Sequence, residues 1–185
     1  NNLDLKLVKV IDTHIHADHI SALNELNKRT NCIRVMGEKS KSEVIDLRIK
    51  DGEKIKVEEV ELQAIYTPGH TDCSYSFLMN DRVFTGDTLL INGSGRTDFQ
   101  NGNAYDAYDS IFNKLLKLPE KTLVFPAHDY NGKKFSTIEN EKNNNPRLQV
   151  SSKEEYADIM NNLNLANPKM MDVAVPANVK GLTLD

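Results

Sequence analysis

Every histidine in this sequence falls just after an apolar run breaks off. His14, His16 and His19 follow the stretch from Leu5 to Ile11, His70 follows Ile55 to Tyr66, and His128 follows Leu123 to Pro126. In layered α/β folds, side chains at strand ends gather along one edge of the sheet, where sites are usually built. Histidines kept for packing or surface chemistry would be scattered. Five out of five at strand ends instead predict an α/β chain whose sheet edge carries a metal-binding cluster.

The remaining pattern fits that reading. Leu5 to Ile11 reads as a strand that becomes buried toward Val10 and Ile11, and a helix capped by Asp18 or Ser21 runs on through Leu23, Leu26 and Lys28. Cys32 to Met36 reads as a short strand, and Ser42 to Leu47 as a turn or brief helix. Asp51-Gly52 marks a tight turn, and Ile55 to Tyr66 supplies one or two strands. Thr67-Pro68-Gly69-His70 breaks that run. Tyr75 to Met79 and Arg82 to Thr85 form a hairpin around Asn80-Asp81, ending at Gly86-Asp87. A helical face spans Ala104 to Leu116, closed by Pro119. After the strand Leu123 to Pro126, further helices are expected from Ser136 to Lys142 and from Glu154 to Leu163, and the tail after Asn167 reads as loop. No internal repeat is present.

Composition narrows the function classes. A chain of 185 residues with net charge −4 is long enough for one buried core and offers no basic field for nucleic acid. No apolar run approaches bilayer length. Cys32 and Cys73 do not make a disulfide framework and read as free thiols in a reducing compartment, Cys73 lying close in sequence to His70. The start, Asn1-Asn2, is neither an initiator methionine nor a signal peptide, so the natural chain is expected to begin earlier.

His14-x-His16-x-Asp18-His19 carries the strongest chemical signal. Four metal-capable side chains in six residues, at a strand-to-helix turn, let imidazoles and a carboxylate converge on one volume. Such donors suit zinc, iron or manganese without a thiolate. Alone, His70 after Pro68-Gly69 would read as a surface residue, and Asp87 after Thr85-Gly86 as a turn residue. As a set with His128 they read as ligands.

Thr13 to His19, Pro68-Gly69-His70-Thr71, Thr85-Gly86-Asp87 and Pro126-Ala127-His128 resemble, in type and order, the motifs of the metallo-β-lactamase superfamily. Within it, Gly95-Arg96-Thr97-Asp98-Phe99-Gln100, Ala127-His128-Asp129-Tyr130 and Asn145-Pro146-Arg147 are similar to the persulfide dioxygenases. The resemblance covers nearly the whole chain. It implies a single domain over residues 1–185, an αββα sandwich of two mixed sheets, lacking the strands the family places before the first histidine motif. It also implies one iron(II) per protomer, held by His14, His70 and Asp87, with zinc as the alternative metal. Three positions would stay open, as in non-haem iron oxygenases.

His16, Asp18, His19 and His128 match positions that complete a dinuclear zinc site in hydrolytic relatives; here they are expected to orient the ligands and hold water. The implied reaction oxidises glutathione persulfide with O₂ to sulfite and glutathione. Arg96, Tyr130 and Arg147 match positions that hold glutathione, where arginine suits its carboxylates. The plain alternative is that Arg96 and Arg147 tie loops to backbone carbonyls. Tyr105 and Tyr108 are read as helix-packing residues. One departure is Asp72-Cys73-Ser74, where the family often shows Pro-Gly after His70-Thr71.

The main rival is a glyoxalase II-like dinuclear zinc hydrolase of glutathione thioesters, whose ligand types are all present. It uses a long C-terminal helical extension, which is not expected of this chain. A nuclease of the superfamily is disfavoured by the acidic balance, and an inactive binding module by the complete ligand set. The family implies a homodimer as a compatible assembly, a cytoplasmic setting (mitochondrial for a eukaryotic chain), and in some bacterial relatives a fused rhodanese-like domain.

Overall fold

The computed structural model describes residues 5–183; the Asn1-Asn2 start lies outside them. Two sheets form. The first joins β1 (Lys9–Ile11), β2 (Ile33–Gly37) and β3 (Leu47–Ile49) in that order, all parallel. The second has six strands: β4 (Lys54–Val57), β5 (Val60–Tyr66), β6 (Tyr75–Leu78), β7 (Arg82–Gly86), β10 (Leu123–Pro126) and β11 (Ser136–Thr137). Its order is β11-β10-β7-β6-β5-β4, antiparallel except for the β10–β7 pair. A two-stranded ribbon, β8 (Leu89–Leu90) with β9 (Gly93–Ser94), follows Asp87. The helices are α1 (Leu23–Thr30), α2 (Ala104–Asn113), α3 (Ile138–Asn144), α4 (Lys153–Asn161) and α5 (Met171–Lys180).

Strand alternation builds the layers. Val35 on β2 faces inward with Ile49, Ile55, Ala64, Tyr75 and Phe77, filling the space between the two sheets. Its neighbour Met36 points the other way, into a cluster with Leu23, Ile15, Val175 and Val179 beneath α1 and α5. On β7, Phe84 faces the inter-sheet space, while Val83 packs with Val124, Ile111, Leu115 and Tyr156 against α2 and α4. Helices therefore cover the outer faces of two stacked sheets, the αββα arrangement expected.

Local chemistry sets the helix starts. The side chain of Asn103 accepts from the N–H groups of Tyr105 and Asp106 at the head of α2, and Ser152 accepts from that of Glu155 at α4. At α1 the cap residue is Ala22, with no side-chain cap bond; Ser21 still accepts from the Leu23 N–H at 3.1 Å. Tyr108 stacks on Phe112 within the helix layer, whereas Tyr105 is exposed and lies beneath the Lys153 ammonium.

Two expectations are corrected and a third is resolved. The strand expected from Leu5 is confined to Lys9–Ile11. Of the turn or brief helix expected from Ser42 to Leu47, the turn is what forms, and it leads into β3 at Leu47. The tail after Asn167 is not loop throughout: Met171–Lys180 is helical although Pro176 lies inside it. Val175 and Val179 pack on Ile15 and Met36, so tertiary burial compensates for the proline's missing N–H. Among the described residues no helix is long and apolar enough to cross a membrane.

The loop that presents His70 depends on a glycine. Gly69 has φ +138°, and a Cβ there would lie 2.3 Å from the Ala107 Cα. Neither backbone can yield, because the Asn103 N–H at the head of α2 donates to the Gly69 carbonyl at 2.9 Å. Gly69→Ala is expected to cost about 3 kcal/mol, lowering Tm by ~6–12 °C in thermal denaturation. A change under 2 °C would show the loop to be compliant.

Candidate metal centre

The first histidine motif is a loop between β1 and α1, and its odd and even members part company. Ile15 is buried in the outer core, and its carbonyl accepts from Gln100 Nε2 at 2.8 Å. His14 and His16 point to the opposite side, both buried, with ring centroids 4.2 Å apart. The Thr13 hydroxyl lies 2.9 Å from His14 Nδ1, and the Thr13 carbonyl accepts from the Tyr75 N–H at 2.9 Å. The loop is thus fixed to the second sheet at the residue before its first histidine.

His70, in the loop that follows β5, meets His14 edge-on with centroids 4.9 Å apart. Its Nδ1 lies 2.7 Å from the Arg96 carbonyl. A carbonyl can only accept, so Nδ1 carries a proton, and in the neutral ring Nε2 is the nitrogen left free for the centre. Asp87, just past β7, places Oδ2 3.5 Å from His70 Nε2 and 3.6 Å from His128 Nε2. Its Oδ1 is buried without a hydrogen-bond partner. The backbone behind this carboxylate leaves no room: a Cβ on Gly95 would sit 2.0 Å from the Asp87 carbonyl oxygen.

Donor atoms of His14, His70 and Asp87 all lie within 4.8 Å of one another. Those of His16, Asp18 and His19 form a second such group, more exposed. His128, after β10, reaches Asp18 Oδ2 at 3.3 Å, and Tyr130 lies parallel to its ring at the rim, largely exposed.

Electrostatics favour the neutral imidazole at His14 and His16. Burial, then the neighbouring imidazoles, pushes His14 well below its ordinary value. Burial and the adjacent His19 take His16 down to about 4. Among the described residues, the ion-pair partners of Asp87 are His70 and His128, with no lysine or arginine. Imidazole nitrogens gathered around one oxygen of a carboxylate whose other oxygen is buried without a partner are what a divalent cation would satisfy.

A cavity of about 530 Å³ opens onto this cluster. His70, Asp87, Asp18 and His128 form its floor, and Leu90, Phe99, Leu165 and Pro168 supply apolar walls. All three residues expected to hold substrate line it, but they differ. Arg96 donates through Nε and Nη2 to Asp98, each at 2.7 Å, and through Nη1 to the Ala166 carbonyl at 2.7 Å. Its guanidinium lies 4.0 Å over the Phe99 ring. Arg147 donates to the Ser94 carbonyl and has no carboxylate partner among the described residues; burial lowers its guanidinium from the ordinary value.

Several contributors escaped the sequence reading. Phe99 and Gln100 lie in the Gly95–Gln100 run, whose resemblance assigns a substrate-holding role to Arg96 alone. Leu165, Ala166 and Pro168 come from a segment without motif or periodicity. Cys73, the nearer cysteine, is buried. Burial raises its thiol pKa, and it accepts from the Ile15 N–H at 3.5 Å, so it acts as packing behind the loop.

Residues 36–128 match the family described as metallo-beta-lactamase superfamily. The mitochondrial persulfide dioxygenase ETHE1 of Mus musculus is 44% identical over 181 residues, spanning 96% of this chain and 70% of that protein. The crystal structure of ETHE1 from Myxococcus xanthus superposes with a TM-score of 0.94 at 49% identity, over 96% of this chain and 79% of that one. A hydroxyacylglutathione hydrolase of Dictyostelium discoideum is more distant, 32% identical over 76% of this chain and 56% of its own length. With its fold, motifs and these similarities, the chain belongs to the metallo-β-lactamase superfamily and, within it, to the persulfide dioxygenases.

Proposed function

We propose that this protein oxidises glutathione persulfide with O₂, using one iron(II) held by His14, His70 and Asp87. The observation that carries the reading is the two-imidazole, one-carboxylate group, with His70 and Asp87 lining an open cavity and His14 buried beside them, in a chain of persulfide dioxygenase type. In the balanced reaction, persulfide, O₂ and water give glutathione, sulfite and two protons. The outer sulfur rises from oxidation state zero to plus four as O₂ takes up four electrons. When bound, iron(II) supplies that redox chemistry.

The chain's own residues hold and orient. The Arg96 carbonyl fixes the His70 tautomer, so that Nε2 faces the centre. Leu90, Phe99, Leu165 and Pro168 keep bulk water from the sulfur. Arg147, with no carboxylate of its own, is the group placed to pair with a glutathione carboxylate. Tyr130 offers a hydroxyl at the rim. Arg96, committed to Asp98 and Ala166, shapes the wall and presents Phe99. His16, Asp18, His19 and His128 surround the centre and hold water. Arg147→Ala is expected to raise the KM for glutathione persulfide by ~10–100-fold with little change in kcat. Steady-state oxygen uptake checks this; a loss confined to kcat would remove Arg147 from binding.

A second reading has one observation in its favour. Asp87 Oδ2 lies almost equally far from His70 and His128, as a carboxylate shared by two metals would, so a dinuclear zinc thioester hydrolase is its natural rival. Protein purified without added metal decides between them. About one iron per chain, with oxygen uptake and sulfite release, supports the dioxygenase. About two zincs, with thioester hydrolysis and no oxygen uptake, overturns it.

A further inference from the structure

The loop from His14 to Ser21 contains no regular secondary structure, so its backbone groups need partners from elsewhere. One side chain supplies three. Asn178, in the last turn of α5, donates from Nδ2 to the carbonyls of His16 and His19, each at 2.9 Å. Its Oδ1 accepts from the Ser21 N–H at 2.8 Å. Both amide hydrogens and the carbonyl of this residue are thereby spent on one short loop, across 162 residues of chain to His16.

The helix carrying Asn178 is itself fastened. The Glu43 N–H donates to the Val179 carbonyl at 2.8 Å, and the Ser42 hydroxyl donates to the Asn178 carbonyl at 3.1 Å. Asn24 donates to the Gly181 carbonyl. Val175 and Val179 pack against Ile15, the residue between His14 and His16. Side chain and backbone of the loop are both held from this helix.

We propose that Asn178 is a positioning residue for metal binding, fixing the backbone on which His14, His16 and His19 are mounted; this rests on the reading of His14, His70 and Asp87 as the metal-holding set. A ligand loop held in one conformation loses little freedom when the ion arrives, whereas a loose loop must be ordered by it. Asn178→Ala removes all three bonds while leaving α5 its other anchors. Asn178→Asp keeps the acceptor for Ser21 but turns oxygen toward two carbonyls, and is the more damaging of the two.

The full-length chain is titrated with zinc, and separately with iron(II) without oxygen, against a chromophoric chelator. Amide exchange across residues 14–21 is followed in the metal-free protein. Ser42→Ala, which loosens α5 without touching the loop, is the control. Asn178→Ala is expected to weaken metal binding at least ~10-fold and to speed exchange of the loop amides by a similar factor, with Ser42→Ala within about twofold of wild type in affinity. An unchanged affinity for Asn178→Ala, or an equal loss in Ser42→Ala, overturns the proposal. Should Asn178→Ala fail to fold, Asn178→Gln, with the amide displaced by one methylene, is read in the same way. If the wild-type chain holds no metal, the ligand assignment fails. Loop exchange still decides the role of Asn178, because accelerated exchange upholds its grip and unchanged exchange ends it.

Discussion

Asp87→Ala is expected to purify with less than ~0.1 metal per chain and to lose persulfide-dependent oxygen uptake by at least ~10³-fold, since it removes the only anionic donor of a three-donor set. Stability of the metal-free protein should move the other way or not at all. Asp87 Oδ1 is buried without a partner, and its carboxylate faces two histidines rather than a permanent cation. Removing such a group relieves a desolvation cost that the metal-free fold carries on behalf of its function. Metal analysis, oxygen uptake and a thermal melt with chelator present measure the three quantities. A variant with normal metal content and uptake would take Asp87 out of the site. A large fall in Tm without metal would instead make it a structural residue.

The second large effect is expected away from the metal. Glu141, on α3, is fully buried, and both carboxylate oxygens are engaged. Oε1 accepts from the Ser136 hydroxyl at 2.5 Å and from Asn140 Nδ2 at 3.1 Å. Oε2 accepts from the Asn92 N–H and from Asn145 Nδ2, both at 2.8 Å. Asn145 also donates to the Gly93 carbonyl at 2.9 Å, so one carboxylate ties α3 to the β8–β9 ribbon and to the turn bearing Arg147. Glu141→Ala strands several of these donors at once. The expected cost is ~3–5 kcal/mol, a fall of about 10–15 °C in Tm by calorimetry. Glu141→Gln, which keeps an acceptor, should fall between the variant and wild type. A drop below 2 °C would mean that water or rearrangement replaces the network.

What the sequence disclosed about the site was local. His14, His16, Asp18 and His19 announce themselves by spacing within one loop, and His70, Asp87 and His128 by their positions just past apolar runs. Each sits where the structure brings it, on the floor of the cavity or beside it. Strand alternation likewise separates Val35 from Met36 and Val83 from Phe84, and so foretells the layers. Contacts made at a distance left no such trace. Pro176 and a weak apolar stripe disguise α5, whose helix is stabilised by packing on Ile15 and Met36 rather than by its own pattern. Ribbon β8–β9, with two residues per strand, is too short to show a period. Arg96 and Arg147 look alike as sequence symbols. Only their partners distinguish a cation already matched by Asp98 from one that is not.

The hold of α5 on the first histidine loop also has a history within the life of each molecule. Translation delivers His16 first and Asn178 162 residues later, an interval of about 10–30 s at ordinary elongation rates. Throughout that interval the nascent chain displays its densest group of imidazoles without the amide that will brace them. Any ion that meets the ribosome-bound chain therefore meets a slack, exchangeable set of donors. On the proposed reading, faithful loading waits until α5 has docked.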